Sequence, residues 1–166
     1  MSFFKKKEQI SNVADNMIVA PALADMIDIT TISDPVFAQK MMGDGVAFQF
    51  KENKVTLCAP ANGILSVLFP TGHAFGIKMN NGVQLLVHCG IDTVKANGAG
   101  FKILHKKQGD RVKAGDPILI MDVKKLSKSF ETTTMLIIVD SNHKDIHFIP
   151  PKQVKKGESI LMTGTV

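Results

Sequence analysis

The chain has 166 residues, 45% of them hydrophobic, and a formal net charge of +5. That length supports one domain whose core needs neither disulfides nor metal, and no stretch approaches the roughly 20 apolar residues of a membrane-spanning helix. Positive charge suggests nucleic acid, but Arg111 is the only arginine and Trp and Tyr are absent, so the forks and stacking platforms that read bases are missing and no nucleic-acid partner is expected.

Residues 1–15 read as a flexible basic N-terminal tail, and residues 16–166 as a single domain. Phe3, Phe4 and Lys5 to Lys7 give residues 1–7 a means of at most weak, reversible contact with a membrane surface. No long apolar core follows these lysines, so the start is not a secretory signal. Cys58 and Cys89 stand alone in apolar runs, as free thiols do in a reducing compartment, and a cytoplasmic location is expected. Residues 16–33 mix short apolar runs with Pro21, an extended lead-in with strand segments. Residues 36–42 follow Pro35 as a short helix or turn. Strand-length apolar runs then recur at 46–50, 55–59, 64–69, 74–79, 83–89, 101–105, 118–123 and 135–139, with residues 124–130 as the best helix of the second half. Gly, Asn and Asp clusters separate the runs. Short strands at close spacing predict an all-β fold, an antiparallel β-sandwich or barrel-sandwich hybrid with one or two short helices.

The run from Gln108 to Leu119 resembles the Gly-Asp turn of barrel-sandwich hybrid carriers, and Ile77-Lys78-Met79 echoes their modified-lysine motif. In those carriers the turn precedes the lysine, whereas here it follows, so the echo supports the fold and not a swinging-arm function.

Two histidines fifteen positions apart carry the chemistry. His73 stands in Thr71-Gly72-His73-Ala74-Phe75-Gly76, and His88 in Leu85-Leu86-Val87-His88-Cys89-Gly90-Ile91-Asp92-Thr93-Val94. Asn81-Gly82 lies between these apolar runs and predicts a hairpin, which makes residues far apart in sequence cross-strand neighbours. Strand alternation places Val83, Leu85, Val87 and Cys89 on a core face, and Gln84, Leu86 and His88 on an outer face where Leu86 suggests a docking surface. Cys89 adjoins His88 but points the other way. Paired imidazoles suit metal binding, proton transfer or phosphoryl transfer.

Around these residues, Asp34-Pro35-Val36-Phe37-Ala38-Gln39-Lys40-Met41-Met42-Gly43-Asp44-Gly45, Thr71 to Phe75, Leu86 to Val94, Gly98 to Phe101, Gly109 to Val112 and Gly115-Asp116 resemble, in order, the glucose-type enzyme IIA domain of the bacterial phosphoenolpyruvate:sugar phosphotransferase system. The resemblance spans residue 34 to about 140. It implies that His88 accepts a phosphoryl group from the phosphocarrier HPr and passes it to the IIB domain of a sugar permease. It further implies that His73 stabilises that group, that Thr71 orients His73, and that a backbone carbonyl near Gly90 and N–H groups of Asp92 to Val94 support the site. Phe37, Phe69, Leu86, Asp92 and Val94 are then partner-binding residues, with Asp92 too anionic to touch the phosphoryl group. No cofactor is required, although His73 and His88 are the possible ligands of an adventitious or regulatory zinc ion. Regulated metabolic proteins are possible further partners if phosphorylation of His88 switches binding.

Two departures from the family stand out. Leu86 replaces a larger aromatic residue, and the chain is basic where many relatives are acidic. An alternative reading is a zinc-dependent hydrolase of related β architecture, because His88-x-x-x-Asp92 has the spacing of two zinc ligands. The further His-x-His pair that such enzymes need is absent, since His143 and His147 are four apart. Another alternative is a purely regulatory binding module.

Overall fold

The computed structural model describes residues 12–162. Among the described residues there are eleven strands: β1 Ala24–Asp28, β2 Gly45–Gln49, β3 Lys54–Cys58, β4 Gly63–Leu68, β5 Ala74–Met79, β6 Gln84–Cys89, β7 Phe101–Ile103, β8 Arg111–Val112, β9 Pro117–Asp122, β10 Thr134–Asp140 and β11 Lys152–Val154. They form an eight-stranded sheet in the order β11-β1-β2-β10-β6-β5-β4-β8 and a three-stranded sheet β3-β9-β7. Every pairing between these strands is antiparallel.

Alternation along the strands makes the sandwich. Phe48, Phe75, Leu85, Val87 and Leu136 of the large sheet meet Leu57, Leu119 and Met121 of the small one in a single buried cluster. Each such side chain removed from water contributes roughly 1.5–3 kcal/mol. Val83, Leu85, Val87 and Cys89 are all 1% exposed or less, as the period of two predicts. The opposite face of the large sheet is not bare. Ala47, Met135 and Ile137 pack there beneath Ile29, Phe37 and Ile91, with Leu86 at the margin. This second, smaller core is what places a roof beside His88.

Residues 36–42 are a short helix and turn, as expected: Pro35–Ala38 (α1) is α-helical and residues 39–42 are turn. Asp34 caps it by accepting from the Val36 N–H at 2.9 Å, and Lys40, left-handed at φ 56°, ends the turn. Of residues 124–130, the helical turn is Val123–Leu126 (α2), capped by the Asp122 side chain. Buried Leu126 and Val123 anchor that turn, and Ser127 to Ser129 lack the apolar periodicity to extend it. The 101–105 strand stops at Ile103, and β11 and the two-residue β8 were not anticipated. Residues 1–11 of the expected tail lie outside the described residues. Residues 12–15 are held: Asn62 Nδ2 donates to the Val13 carbonyl at 2.7 Å and to Asp15 Oδ1 at 3.1 Å. No helix among the described residues is long and apolar enough to cross a membrane.

Candidate active site

The Asn80 to Gly82 turn joins β5 and β6 into the expected hairpin, closed by Met79 N–H donating to Val83 O at 2.8 Å. Its register sets Ala74 opposite His88. His73 lies one residue before β5, where Gly72 at φ 74° bends the chain. Regular alternation would send His73 toward the core with Phe75. Instead its ring meets that of His88, with centroids 5.5 Å apart and planes at 74°. The two strands are tied at this end by Cys89 N–H donating to His73 O at 2.7 Å.

Each imidazole is oriented by a different kind of partner. His88 Nδ1 lies 2.7 Å from the Gly90 carbonyl oxygen. A carbonyl only accepts, so Nδ1 carries the proton and the Nε2 lone pair of the neutral ring is free. His73 Nδ1 lies 2.5 Å from Thr71 Oγ1, so the hydroxyl holds the ring whether it donates or accepts. Phe37 packs on the His88 ring at 5.3 Å and Phe69 on His73 at 4.9 Å. Both histidines are held below the ordinary imidazole pKa. Burial is the main cause for each; for His88 the Gly90 hydrogen bond and the charges of Asp34 and Asp92 oppose it, and for His73 the neighbouring His88 adds to it. Both rings are therefore mostly neutral at pH 7, and a neutral ring has a nucleophilic nitrogen.

The loop after His88 is fixed by its own bonds. Thr93, fully buried, donates through Oγ1 to Cys89 O at 2.6 Å, and Ile91 N–H donates to Glu131 O at 2.9 Å. Gly90 takes φ 85°, and a Cβ there would lie 2.5 Å from Thr93 Cγ2. Asp92 is left-handed at φ 60° and starts the 3-10 turn Thr93–Ala96. The N–H groups at the start of such a turn have no partner within it.

Several assignments change. His88 is not on an open outer face but half-buried beside Phe37. Phe37 is only 5% exposed, so it supports the ring and is not a docking residue. Leu86 is half-buried against the small core, leaving its aliphatic side chain less free to dock than expected. Phe69 at 39% and Val94 at 49% are exposed apolar groups, and Asp92 is exposed. Val36 on α1, and Met41 and Met42 just after it, are further exposed apolar groups and were missed. Asp34 was missed too, although an Asp before Pro is a recognisable helix-start signal. Cys89 is buried and its thiol is pushed well above the ordinary range by that burial, and Cys58 is raised to about 11 by the same cause. Both are inert core thiols.

His143 follows β10, whose Met135 end meets His88. The span from Met135 to Asp140 carries it roughly 17 Å along the strand from the site. His147 pairs with Asp145 at 2.8 Å. Among the described residues no cluster of three or more His, Cys, Asp or Glu could hold a metal ion, whereas a catalytic zinc takes three protein ligands. The hydrolase alternative is not favoured.

Residues 16–145 match the family model of the phosphoenolpyruvate-dependent sugar phosphotransferase system, EIIA 1. The glucose-specific EIIA component of Staphylococcus epidermidis is 38% identical over 166 residues, covering 99% of this chain and 96% of that protein. The corresponding component of Buchnera aphidicola is 39% identical over 143 residues, 86% of this chain and 83% of its own. The glucose-specific EIICBA component of Staphylococcus carnosus is 31% identical across 95% of this chain, which spans only 23% of that longer protein. The solved structure of glucose permease IIA from Mycoplasma capricolum superposes with a TM-score of 0.80 at 34% identity, covering 87% of this chain and 93% of that one.

Proposed function

Because the chain belongs to the EIIA 1 family of the sugar phosphotransferase system, we propose that it carries a phosphoryl group on His88 Nε2, taken from HPr and given to the IIB domain of a sugar permease. The observation that supports this most directly is the bond from His88 Nδ1 to Gly90 O, which leaves Nε2 as the nucleophile. In the accepting step the Nε2 lone pair forms the new N–P bond while the bond from phosphorus to the donor nitrogen breaks. In the donating step His88 Nε2 is the leaving group. The transferring PO₃ spreads negative charge over its equatorial oxygens, so donors aimed at them lower the barrier. With Thr71 donating to Nδ1, His73 presents an Nε2–H to that charge, and the Asp92 to Val94 N–H groups supply backbone donors. EIICBA relatives, in which a domain like this one is part of one long chain, support the IIB partnership.

Phe69, Val94 and Val36 form the apolar surface on which HPr and IIB dock, with Asp92 supplying charge recognition. A phosphoryl group on Nε2 would bring about two negative charges to that surface and so weaken purely apolar contacts. The same chemistry gives phosphorylation-dependent control over any regulated metabolic protein that docks there. No cofactor enters the transfer. A zinc ion held by His73 and His88 would occupy the Nε2 lone pair and inhibit it.

The deciding experiment is incubation with phosphoenolpyruvate, enzyme I and HPr, followed by mass measurement for an acid-labile phosphate. The wild type should gain one phosphoryl group and His88→Ala none. Wild-type labelling of H88A would refute the assignment.

A further inference from the structure

One exposed residue outside the reacting pair touches both walls of the site, one through its main chain and the other through its side chain. Glu131 accepts Ile91 N–H at its main-chain oxygen, 2.9 Å away. Ile91 follows Gly90, the residue that orients His88. The Glu131 carboxylate reaches the other way, to Ser33, whose Oγ–H lies 2.9 and 2.8 Å from its two oxygens. Ser33 directly precedes Asp34, the cap of α1, and α1 carries Phe37 onto the His88 ring. Ile91 and Phe37 also share the small apolar cluster with Ile29 and Met135. Glu131 therefore joins the loop that orients His88 to the segment that roofs it, across 98 residues of sequence.

We propose that Glu131, acting through Ser33, is a positioning residue for phosphoryl transfer: it latches the α1 segment over His88 and keeps the nucleophile's ring packed and dry. The inference rests on His88 being the phosphoryl acceptor. Neither Ser33 nor Glu131 contacts His88, and both side chains are exposed, so the latch acts through the placement of Phe37 and Asp34. With the latch open, α1 lifts and water reaches His88. The groups that act electrically on His88 are Asp34 and Asp92, together with the Gly90 hydrogen bond, while His88 in turn acts on His73. Burial outweighs them, so opening relieves the largest cause of the depressed His88 pKa. The His88 titration then moves up toward the ordinary value even though the favourable charge of Asp34 moves away.

The test uses full-length Ser33→Ala, Glu131→Ala, the double variant, Ser33→Thr and Glu131→Gln. Nitrogen NMR of the His88 ring reports its titration without any phosphoryl donor. Quenched-flow transfer from phosphorylated HPr reports the rate. S33A and E131A should each raise the His88 pKa and slow acceptance roughly 3- to 10-fold, the scale of one hydrogen bond of modest net strength. The double variant should be no slower than the worse single one, because the pair acts as a unit. S33T, which keeps the hydroxyl, should behave as wild type, and E131Q should retain part of the effect through its amide oxygen. The main-chain acceptor survives in every variant, so the fold should be intact. Unchanged His88 titration in both alanine variants, or additive rate losses in the double, would overturn the latch. Failure of His88 as the acceptor would show separately, as labelling of H88A.

Discussion

Replacing Gly90 with Ala strikes the one bond on which the choice of nucleophile depends. Gly90 sits at φ 85°, where an L side chain costs about 1–2 kcal/mol. The added Cβ would lie 2.5 Å from Thr93 Cγ2 and 3.0 Å from Glu131 O. Thr93 cannot turn aside freely, since it is fully buried and its Oγ1–H is committed to Cys89 O at 2.6 Å. Relief on the other side pulls against the Ile91 N–H to Glu131 O bond. Overpacking of this kind adds about 1–3 kcal/mol, for a total of about 2–5 kcal/mol. Urea unfolding should show that loss as a lower midpoint at unchanged slope. Moving the Gly90 carbonyl also releases the His88 Nδ1 proton, so that the ring samples the tautomer in which Nε2 is protonated. Acceptance from HPr should fall about 5-fold or more, the value of a lost orienting hydrogen bond of about 1 kcal/mol. A G90A protein within about 0.5 kcal/mol of wild type and phosphorylated at the wild-type rate would refute both the strain argument and the tautomer argument.

His73→Gln keeps an N–H donor but not the imidazole geometry; acceptance should persist while donation to IIB falls on the order of 100-fold, and equal losses in both half-reactions would remove His73 from this role. Acceptance should stay level as pH falls through about 6.5, the ordinary imidazole value, and decline only below it, because His88 is held neutral by burial; a decline centred at or above that value would contradict the burial. Stability follows the same shift: the unfolded histidines gain protons near their ordinary pKa while the folded ones resist, so unfolding free energy should drop as pH falls from about 7 toward the lower folded values and level off beneath them, and H73A/H88A should lose that slope in pH-dependent denaturation. Val94→Asp and Phe69→Asp, at exposed positions, should slow phosphorylation by HPr about 10-fold with little change in melting temperature, whereas Leu86→Asp should also destabilise the fold by about 1–3 kcal/mol because Leu86 packs against the small core.

The large sheet was legible because its strands obey a period of two and its turns carry Gly, Asn and Asp; β5 begins and ends where the apolar run does. The hairpin that joins the histidines followed from Asn81-Gly82 alone. The second core was not legible. Met135 and Ile137 read as one more buried strand, and nothing local to Ile29, Phe37 or Ile91 shows that these three converge on the far side of the same sheet. That convergence is why an outward face became a half-buried one at His88, and why Phe37 supports the ring and does not dock. His73 meeting His88 was also beyond alternation, since it depends on the bend at Gly72, whose added Cβ would press on Phe101 at 2.8 Å. Thr93, Ser33 and Glu131 carry no pattern at all; each acts through hydrogen bonds to distant or main-chain partners.

The two imidazoles are chemically alike, and their partners separate their tasks under the proposed assignment. A carbonyl accepts and never donates, so Gly90 holds His88 in one tautomer through every step in which Nδ1 keeps its proton. That constancy suits a nitrogen which must be nucleophile in one half-reaction and leaving group in the next. A hydroxyl both donates and accepts, so Thr71 tolerates either state of His73. His73 can then present an N–H toward the phosphoryl oxygens, or carry a full positive charge when a dianionic group arrives beside it, without losing its tether. Thr71→Val separates these roles. It removes the hydroxyl at nearly constant shape, so His88 should remain phosphorylatable from HPr while transfer to IIB falls by less than in H73Q, because the donor is present but less well aimed. Equal loss in T71V and H73Q would mean that the aim of the His73 ring, and not merely its presence, supplies the whole effect.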